Sequence, residues 1–332
     1  MGTLFIDKRD IHVKLDGGAM AFYANGKREG MVPIAPLERV IVIGNIVIET
    51  SVLNRLVDDG VSVLFLSGRK TKYYGRLEGK LHKNALLRLK QYKKSISHHE
   101  NLFPMLFSCE IVERKIKGEF DFLKDALEQR QDLRFAITNS MKTLEKIKEN
   151  VKDLKRELPF KDDGIEETCD DINMVLMGFE GSAASSYFSA YTMLFPDSLN
   201  FKNRNRRPPL DPVNSVLSLC YTLLHYEFVR EIEMIGLDPF VGFYHQFDYG
   251  RESLACDLVE LYRVDVDRFV WQIFRERSFT ERDFIYDKDK PGCYMKKSAR
   301  ERFYFLHEEW SKNIRPNLKE EVRILANRIN GG

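Results

Sequence analysis

Glu180 is the first residue in this sequence whose type does not suit its place. The segment Asp170–Phe195 has helical spacing, with Ile172, Val175, Leu176, Phe179 and Ala183 forming an apolar stripe. Glu180 falls one turn from Leu176, Ala183 and Ala184, with Tyr187 a turn further on. A carboxylate in such surroundings is costly unless it is paired or coordinates a cation. One alternative is a single salt bridge to an arginine of a neighbouring helix. The adjoining run from Gly181 to Ser186 is small enough for another backbone to pack closely.

Asp257 repeats the anomaly. Leu254, Leu258 and Leu261 mark the buried stripe of a helix expected to start near Ser253, which suits an N-cap. Asp257 borders that stripe, and Glu260 follows one turn later on the same side. Two acids one turn apart repel unless a cation sits between them; pairing of Glu260 with Arg263 is the plain alternative. His245 lies in a loop entering this helix, among Phe243, Tyr244, Phe247 and Tyr249. A lone histidine can equally be a hydrogen-bonded structural residue. One Glu, one His and one Asp make a mixed oxygen and nitrogen donor set without thiolate, which suits magnesium or manganese. Zinc is disfavoured, because no second clear histidine or cysteine ligand accompanies them. Spacing alone leaves the structural alternatives open.

The elements that would carry these residues fall into two regions, an α+β arrangement. Residues 1 to about 85 read as a small β-rich domain. Short apolar runs alternate with turn signals at Asp16-Gly17-Gly18, Asn25-Gly26 and Ser67-Gly68, as in a small sandwich or barrel. Glu49–Asp59 is the one helix-like interruption, ended by Gly60. Residues 86–332 read as a larger all-α domain that would hold the metal-dependent chemistry. Its expected loops are Pro159–Gly164, Asn200–Pro212, Gly236–Arg251 and Tyr286–Cys293.

Composition narrows the function classes. The 332 residues are 43% hydrophobic, with 52 Lys and Arg against 50 Asp and Glu. A uniformly basic surface is excluded, and any polyanion site must come from local clustering. Arg69, Lys70, Lys72, Arg76, Lys80, Lys83, Arg88, Lys90, Lys93 and Lys94 form one such cluster, interleaved with Tyr73, Tyr74 and Tyr92. A second is Lys202, Arg204, Arg206 and Arg207, followed by Pro208 and Pro209. Both suit DNA phosphates, and both could equally be solvated surface. No apolar run reaches the roughly 20 residues of a membrane span. The five scattered cysteines form no CxxC pair, which predicts a soluble, cytoplasmic protein without a disulfide framework.

Four stretches, in this order, give the chain a family resemblance: Gly178-Phe179-Glu180-Gly181, Arg206–Ser218, Gly236–His245 and Tyr249–Arg263. The N-terminal run LDGGAMAFYANGKREGMVPIAPLERVIVIGN also fits. Together they resemble the Cas-one family, the CRISPR-associated adaptation endonuclease and integrase, over nearly the whole chain. Departures are Cys220, where many relatives have glycine before the tyrosine (here Tyr221), and Tyr244, which replaces a more usual aliphatic residue before the histidine.

The resemblance implies that Glu180, His245 and Asp257 are the catalytic metal ligands, for Mg2+ or Mn2+, with Glu260 in support. It implies insertion of short DNA fragments into the CRISPR array by attack of a 3′-hydroxyl on a phosphodiester. The implied partners are double-stranded DNA, a second copy in a homodimer, and the small ferredoxin-like adaptation subunit, Cas-two. The β-rich domain would then make dimer and partner contacts. Two other readings compete: a stand-alone structure-specific DNA nuclease, and a non-catalytic DNA-binding scaffold whose acids pair with Arg230 or Arg251.

Overall fold

The computed structural model describes residues 2–68, 73–79, 82, 84–96, 102–158, 169–206, 208–245, 247–286 and 291–331. Arg69, Lys70, Lys72, Lys80, Lys83 and Arg207 of the basic clusters, and the whole of the expected loop Pro159–Gly164, lie outside them. The chain divides into two compact units. One is Met1–Lys83 with Arg300–Ile314; the other is Asn84–Ala299 with Arg315–Gly332.

The first unit holds two four-stranded sheets. β1 (Gly2–Ile6), β5 (Leu37–Ile43) and β7 (Ser62–Leu66) run parallel, with β8 (Tyr73–Leu77) antiparallel at the edge. β4 (Lys27–Pro33), β3 (Ala19–Ala24), β2 (Ile11–Asp16) and the short β6 (Val47–Ile48) form the other. The turns fall where the sequence signals them. Gly17, Asn25 and Gly26 take φ of 59°, 49° and 75°, the positive values that tight hairpins demand. Ile6, Ile11, Val13, Met20, Val40, Val42, Val52 and Leu56 join both sheets and helix α1 (Thr50–Asp58) in one core.

The parallel pairing is what local alternation does not announce. Parallel neighbours need a long crossover. Here the β2–β4 meander separates β1 from β5, and β6 with α1 separates β5 from β7. A division at residue 85 would also leave Arg300–Ile314 with the helices. Instead this stretch of α9 (Lys297–Asn330) belongs to the first unit: Tyr304 stacks on Phe5 at 4.3 Å and donates to Asp7 at 2.9 Å.

The second unit is built on α3 (Phe103–Gln129). It packs on α4 (Arg134–Glu157), α5 (Cys169–Met193), α7 (Ser253–Glu260) and α8 (Arg263–Arg275). Pro104 occupies the first turn of α3, and Ile111, Val112, Ile116, Phe122, Leu123 and Ala126 line its buried face. Lys115 and Glu119 fall on that same face. α6 (Pro212–Ile235) shows why its ends lie where they do. Asp211 caps it by accepting from the Asn214 amide at 2.8 Å, Pro212 starts it, and Gly236 closes it at φ 98°.

Three local expectations change. On α5, Val175 is exposed, and the buried stripe runs through Ile172, Asn173, Leu176, Ala183 and Tyr187. Among the described residues, no neighbouring backbone comes within 4 Å of where a Cβ on Gly178 or Gly181 would stand. α7 begins at Ser253, but its cap position is Glu252 and no side chain caps it. The expected loop Tyr286–Cys293 is flanked by a two-stranded ribbon, β9 (Phe284–Tyr286) with β10 (Cys293–Met295). Among the described residues, Cys109, Cys220, Cys256 and Cys293 form no disulfide. No helix among the described residues is long and apolar enough to cross a membrane.

Candidate metal centre

The loop before α7 is held in place by side chains from three helices. From α2 (Ala85–Ile96), the Gln91 amide donates to the carbonyls of Asp238 and Val241 and accepts from the Asp238 amide. Ser95 donates to Gly242 O, while Ser108 of α3 and Asn173 of α5 both donate to Phe243 O. Gly242 is needed for this approach. A Cβ there would stand 2.8 Å from Asp257 Oδ2 and 2.9 Å from the Ser253 carbonyl carbon.

The loop wraps its amides around Asp257. The Phe243 and Tyr244 amides donate to Oδ2 at 2.7 and 3.1 Å, and the His245 amide donates to Oδ1 at 2.8 Å. His245 Nδ1–H adds a fourth bond to Oδ1 at 2.8 Å. The Asp257 side chain is 0% exposed. Four donors saturate a carboxylate's ordinary capacity. Donation from Nδ1 selects the tautomer whose Nε2 carries the lone pair, the arrangement seen when a carboxylate orients a ligating histidine.

Glu180 and Glu260 behave differently. They come from α5 and α7, and they converge on the Nζ of Lys115, which is ion-paired to Glu180 Oε1 and stands 2.6 Å from Glu260 Oε2. Arg263 Nε lies 2.7 Å from the same Glu260 oxygen. Tyr244 donates its hydroxyl to the other Glu180 oxygen at 2.6 Å. Burial opposes ionisation of Glu260, but Arg263, Lys115 and the nearby His245 outweigh it and hold its carboxyl well below the usual range. Burial likewise opposes charge on Lys115, yet Glu260, Glu180 and Glu119 keep its ammonium protonated beyond the ordinary lysine value. One turn along α3, burial pushes the Glu119 carboxyl up to about 8.

The structure thus links Glu180, His245, Asp257 and Glu260 through Tyr244 and Lys115 in one buried polar network. Among the described residues, no three His, Cys, Asp or Glu side chains already stand in metal-ligating geometry. The point on which two carboxylates converge is taken by the Lys115 ammonium, itself a cation. The donor set fits a hard divalent ion on that observation: anionic oxygens from two helices share one positive centre, and the His245 ring lies 5.0 Å from the ring of Tyr244, whose hydroxyl holds Glu180. Among the described residues, the cations recorded on Glu180 and Glu260 are Lys115 and Arg263. Arg230 pairs with Glu231, and Arg251 lies 3.7 Å from Asp248.

Lys115 is the residue that sequence reasoning missed. A lysine flanked on the helical stripe by Ile111, Val112, Ile116 and Glu119 is the signal that points to it. The basic clusters are only partly as expected. Lys202 and Arg206 are exposed. Arg204 is committed inward: it donates to Asn214 Oδ1 at 2.7 Å, to Ser218 and to the Asn205 carbonyl, and covers the Tyr221 ring. Lys90 binds Asn330 and Tyr92 donates to Asp238, so neither presents a free polar end.

Known proteins share this plan. The chain is 49% identical over 329 residues to the CRISPR-associated endonuclease Cas1 1 of Thermodesulfovibrio yellowstonii, covering 99% of this chain and 97% of that one. A solved Cas6-RT-Cas1–Cas2 complex superposes with a TM-score of 0.77 at 22% identity, over 99% of this chain and 35% of the larger one. A casposase bound to integration product gives 0.76 at 19% identity, over 99% and 91%. The family model for the CRISPR-associated protein Cas1 matches residues 4–309, and the chain belongs to the Cas1 family of CRISPR-associated endonucleases.

Proposed function

We propose that Glu180, Glu260 and Nε2 of His245 hold a magnesium or manganese ion, and that Asp257 positions His245 instead of ligating. The observation that carries this assignment is the convergence of Glu180 and Glu260, from separate helices, on one cationic centre. Asp257 is wholly buried with both oxygens already engaged. When bound, the ion supplies Lewis acidity that draws charge from a phosphate and its leaving oxygen.

The protein's own groups prepare that site. Tyr244 holds Glu180, Arg263 keeps Glu260 ionised, and the bond from Nδ1 to Asp257 leaves the Nε2 lone pair for the ion. In the reaction we infer, a DNA 3′-hydroxyl forms a new P–O bond while the target strand's own P–O bond to its 3′ oxygen breaks. Phosphodiesters are conserved: the attacking hydroxyl gives its proton to solvent, and the released 3′ oxygen takes one up and ends as a 3′-hydroxyl. Water in place of the 3′-hydroxyl gives hydrolysis.

Substrate and partners follow the family. Short duplex DNA would be joined into the CRISPR array, by a homodimer working with the small Cas-two subunit in the cytoplasm, where the array resides. The Cas2-containing complex and the casposase integration product among the solved neighbours support this direction. Among the described residues of the 202–207 loop, Lys202 and Arg206 are exposed cations suited to phosphate contact.

The test uses a labelled duplex bearing a 3′-hydroxyl, a repeat-containing plasmid, the small partner subunit and Mn2+. Wild-type protein should attach label to plasmid, and Glu180→Gln and Glu260→Gln should not. Joining at wild-type rate by either variant overturns the site assignment. Label that is shortened but never attached favours the stand-alone nuclease.

A further inference from the structure

Lys115 stands where an incoming divalent cation must compete with it. Its side chain is 7% exposed and its ammonium bridges Glu180 and Glu260, yet none of the chemistry above requires it. One turn along the same buried stripe of α3 lies Glu119, 2% exposed. Glu119 Oε2 is buried with no hydrogen-bond partner among the described residues. A buried polar atom left without a partner is costly. Residues four apart on a helix face one another, and lysine carries its charge on a long, freely rotating stem. The ammonium can therefore pass from the two glutamates to Glu119 without any change of backbone.

We propose that Lys115 is a tethered counter-cation with two seats: it neutralises Glu180 and Glu260 in the metal-free protein, and swings to Glu119 when a divalent ion takes the two glutamates. The inference rests on the metal reading above. Its physical sense is preorganisation. Two carboxylates from different helices, Glu260 buried and Glu180 half-buried, repel when no cation lies between them, and Lys115 keeps them converged until the ion arrives. Displacement is tolerable because a second carboxyl group, its Oε2 buried without a partner among the described residues, receives the expelled ammonium and gives up the proton that burial lets it keep. Metal affinity is then set by the difference between the two seats and not by the glutamates alone.

A double-mutant cycle on the full chain tests this, with Mn2+ as the probe and its dissociation constant read by EPR of the free ion. Lys115→Met should tighten Mn2+ binding by about tenfold or more, because the carboxylate pair loses its internal competitor. The same variant should melt below wild type in chelator, and the deficit should vanish in saturating Mn2+. Glu119→Gln, close to isosteric, should weaken Mn2+ binding about threefold or more in the wild-type background and leave it unchanged in the Lys115→Met background. Lys115→Gln replaces the methionine variant should that fail to fold, with the same direction expected.

Equal or weaker Mn2+ binding by a folded Lys115 variant overturns the proposal, as does a Glu119 effect that persists without Lys115. The metal reading fails separately. If wild-type Mn2+ binding is absent, or is untouched by Glu180→Gln, the site holds no ion and the two-seat idea falls with it. Binding that needs Glu180 but ignores Lys115 removes the two-seat idea alone.

Discussion

Asp257 and Glu260 stand one turn apart on α7, are buried to nearly the same degree, and are satisfied in opposite ways. Asp257 takes its four bonds from the loop immediately before its helix, three of them from backbone amides. Glu260 takes its contacts from Lys115 of α3 and Arg263 of α8, both side-chain cations. Backbone amides cannot leave without unmaking the loop, whereas an ammonium on a flexible stem can be exchanged for another cation. Buried carboxylates in one network therefore separate into a strut and an exchangeable ligand, and the donor type tells which is which.

The widest separation between the two should appear on removal. Asp257→Ala strands three buried amide donors and frees the His245 ring. We expect a stability loss of at least about 3 kcal/mol in urea denaturation, with joining activity abolished. Unfolding at the wild-type midpoint would break the distinction. For Glu260→Gln the mark should be on the chemistry: a DNA-joining rate reduced by on the order of 100-fold, as for loss of one preorganised electrostatic group, with the circular dichroism of the folded wild type.

A smaller effect sharpens the Glu180 side of the comparison. Tyr244→Phe removes only the hydroxyl that holds Glu180 Oε2. It should cost about 1 kcal/mol in stability and weaken Mn2+ binding without abolishing it.

The smallest expected effect is a slope. The Glu119 carboxyl rises from 4.5 to about 8 on folding because burial opposes its charge. The folded state thus keeps a proton that the unfolded chain gives up. The stability this group contributes is full below about 4.5 and is lost as pH rises toward 8. In chelator, Glu119→Gln should flatten the fall in urea midpoint across that window relative to wild type. Parallel curves for the two proteins would show that Glu119 ionises normally in the folded state.

Much of this contrast could be anticipated from residue order, and the missing part has a common cause. Helical periodicity places Glu180 beside an apolar stripe and Asp257 one turn before Glu260, and hairpin turns announce themselves through Gly17 and Asn25-Gly26. Those are local properties of the chain. Asn173 is buried in place of Val175 because its amide donates to Phe243 O, 70 positions away. The role of Asp257 depends on amides that converge on it only after Gln91, Ser95 and Ser108 have shaped the loop. Lys115 meets Glu180 and Glu260 across 65 and 145 positions. Arg204 looks like a phosphate contact in a basic run, but Asn214 and Ser218 claim it once α6 has formed. Long-range pairing between polar groups decided each of these, and periodicity carries no record of it.

The most direct measurement is a Mn2+ titration, followed by EPR, of wild-type, Glu180→Gln, Glu260→Gln and His245→Gln proteins. One ion should bind tightly to the wild type, and each of the three substitutions should weaken it by on the order of tenfold or more, as for loss of one ligand or its support. Undiminished binding by folded Glu180→Gln and Glu260→Gln proteins would contradict the account, because the two carboxylates that meet on Lys115 would then not be the pair that holds the metal.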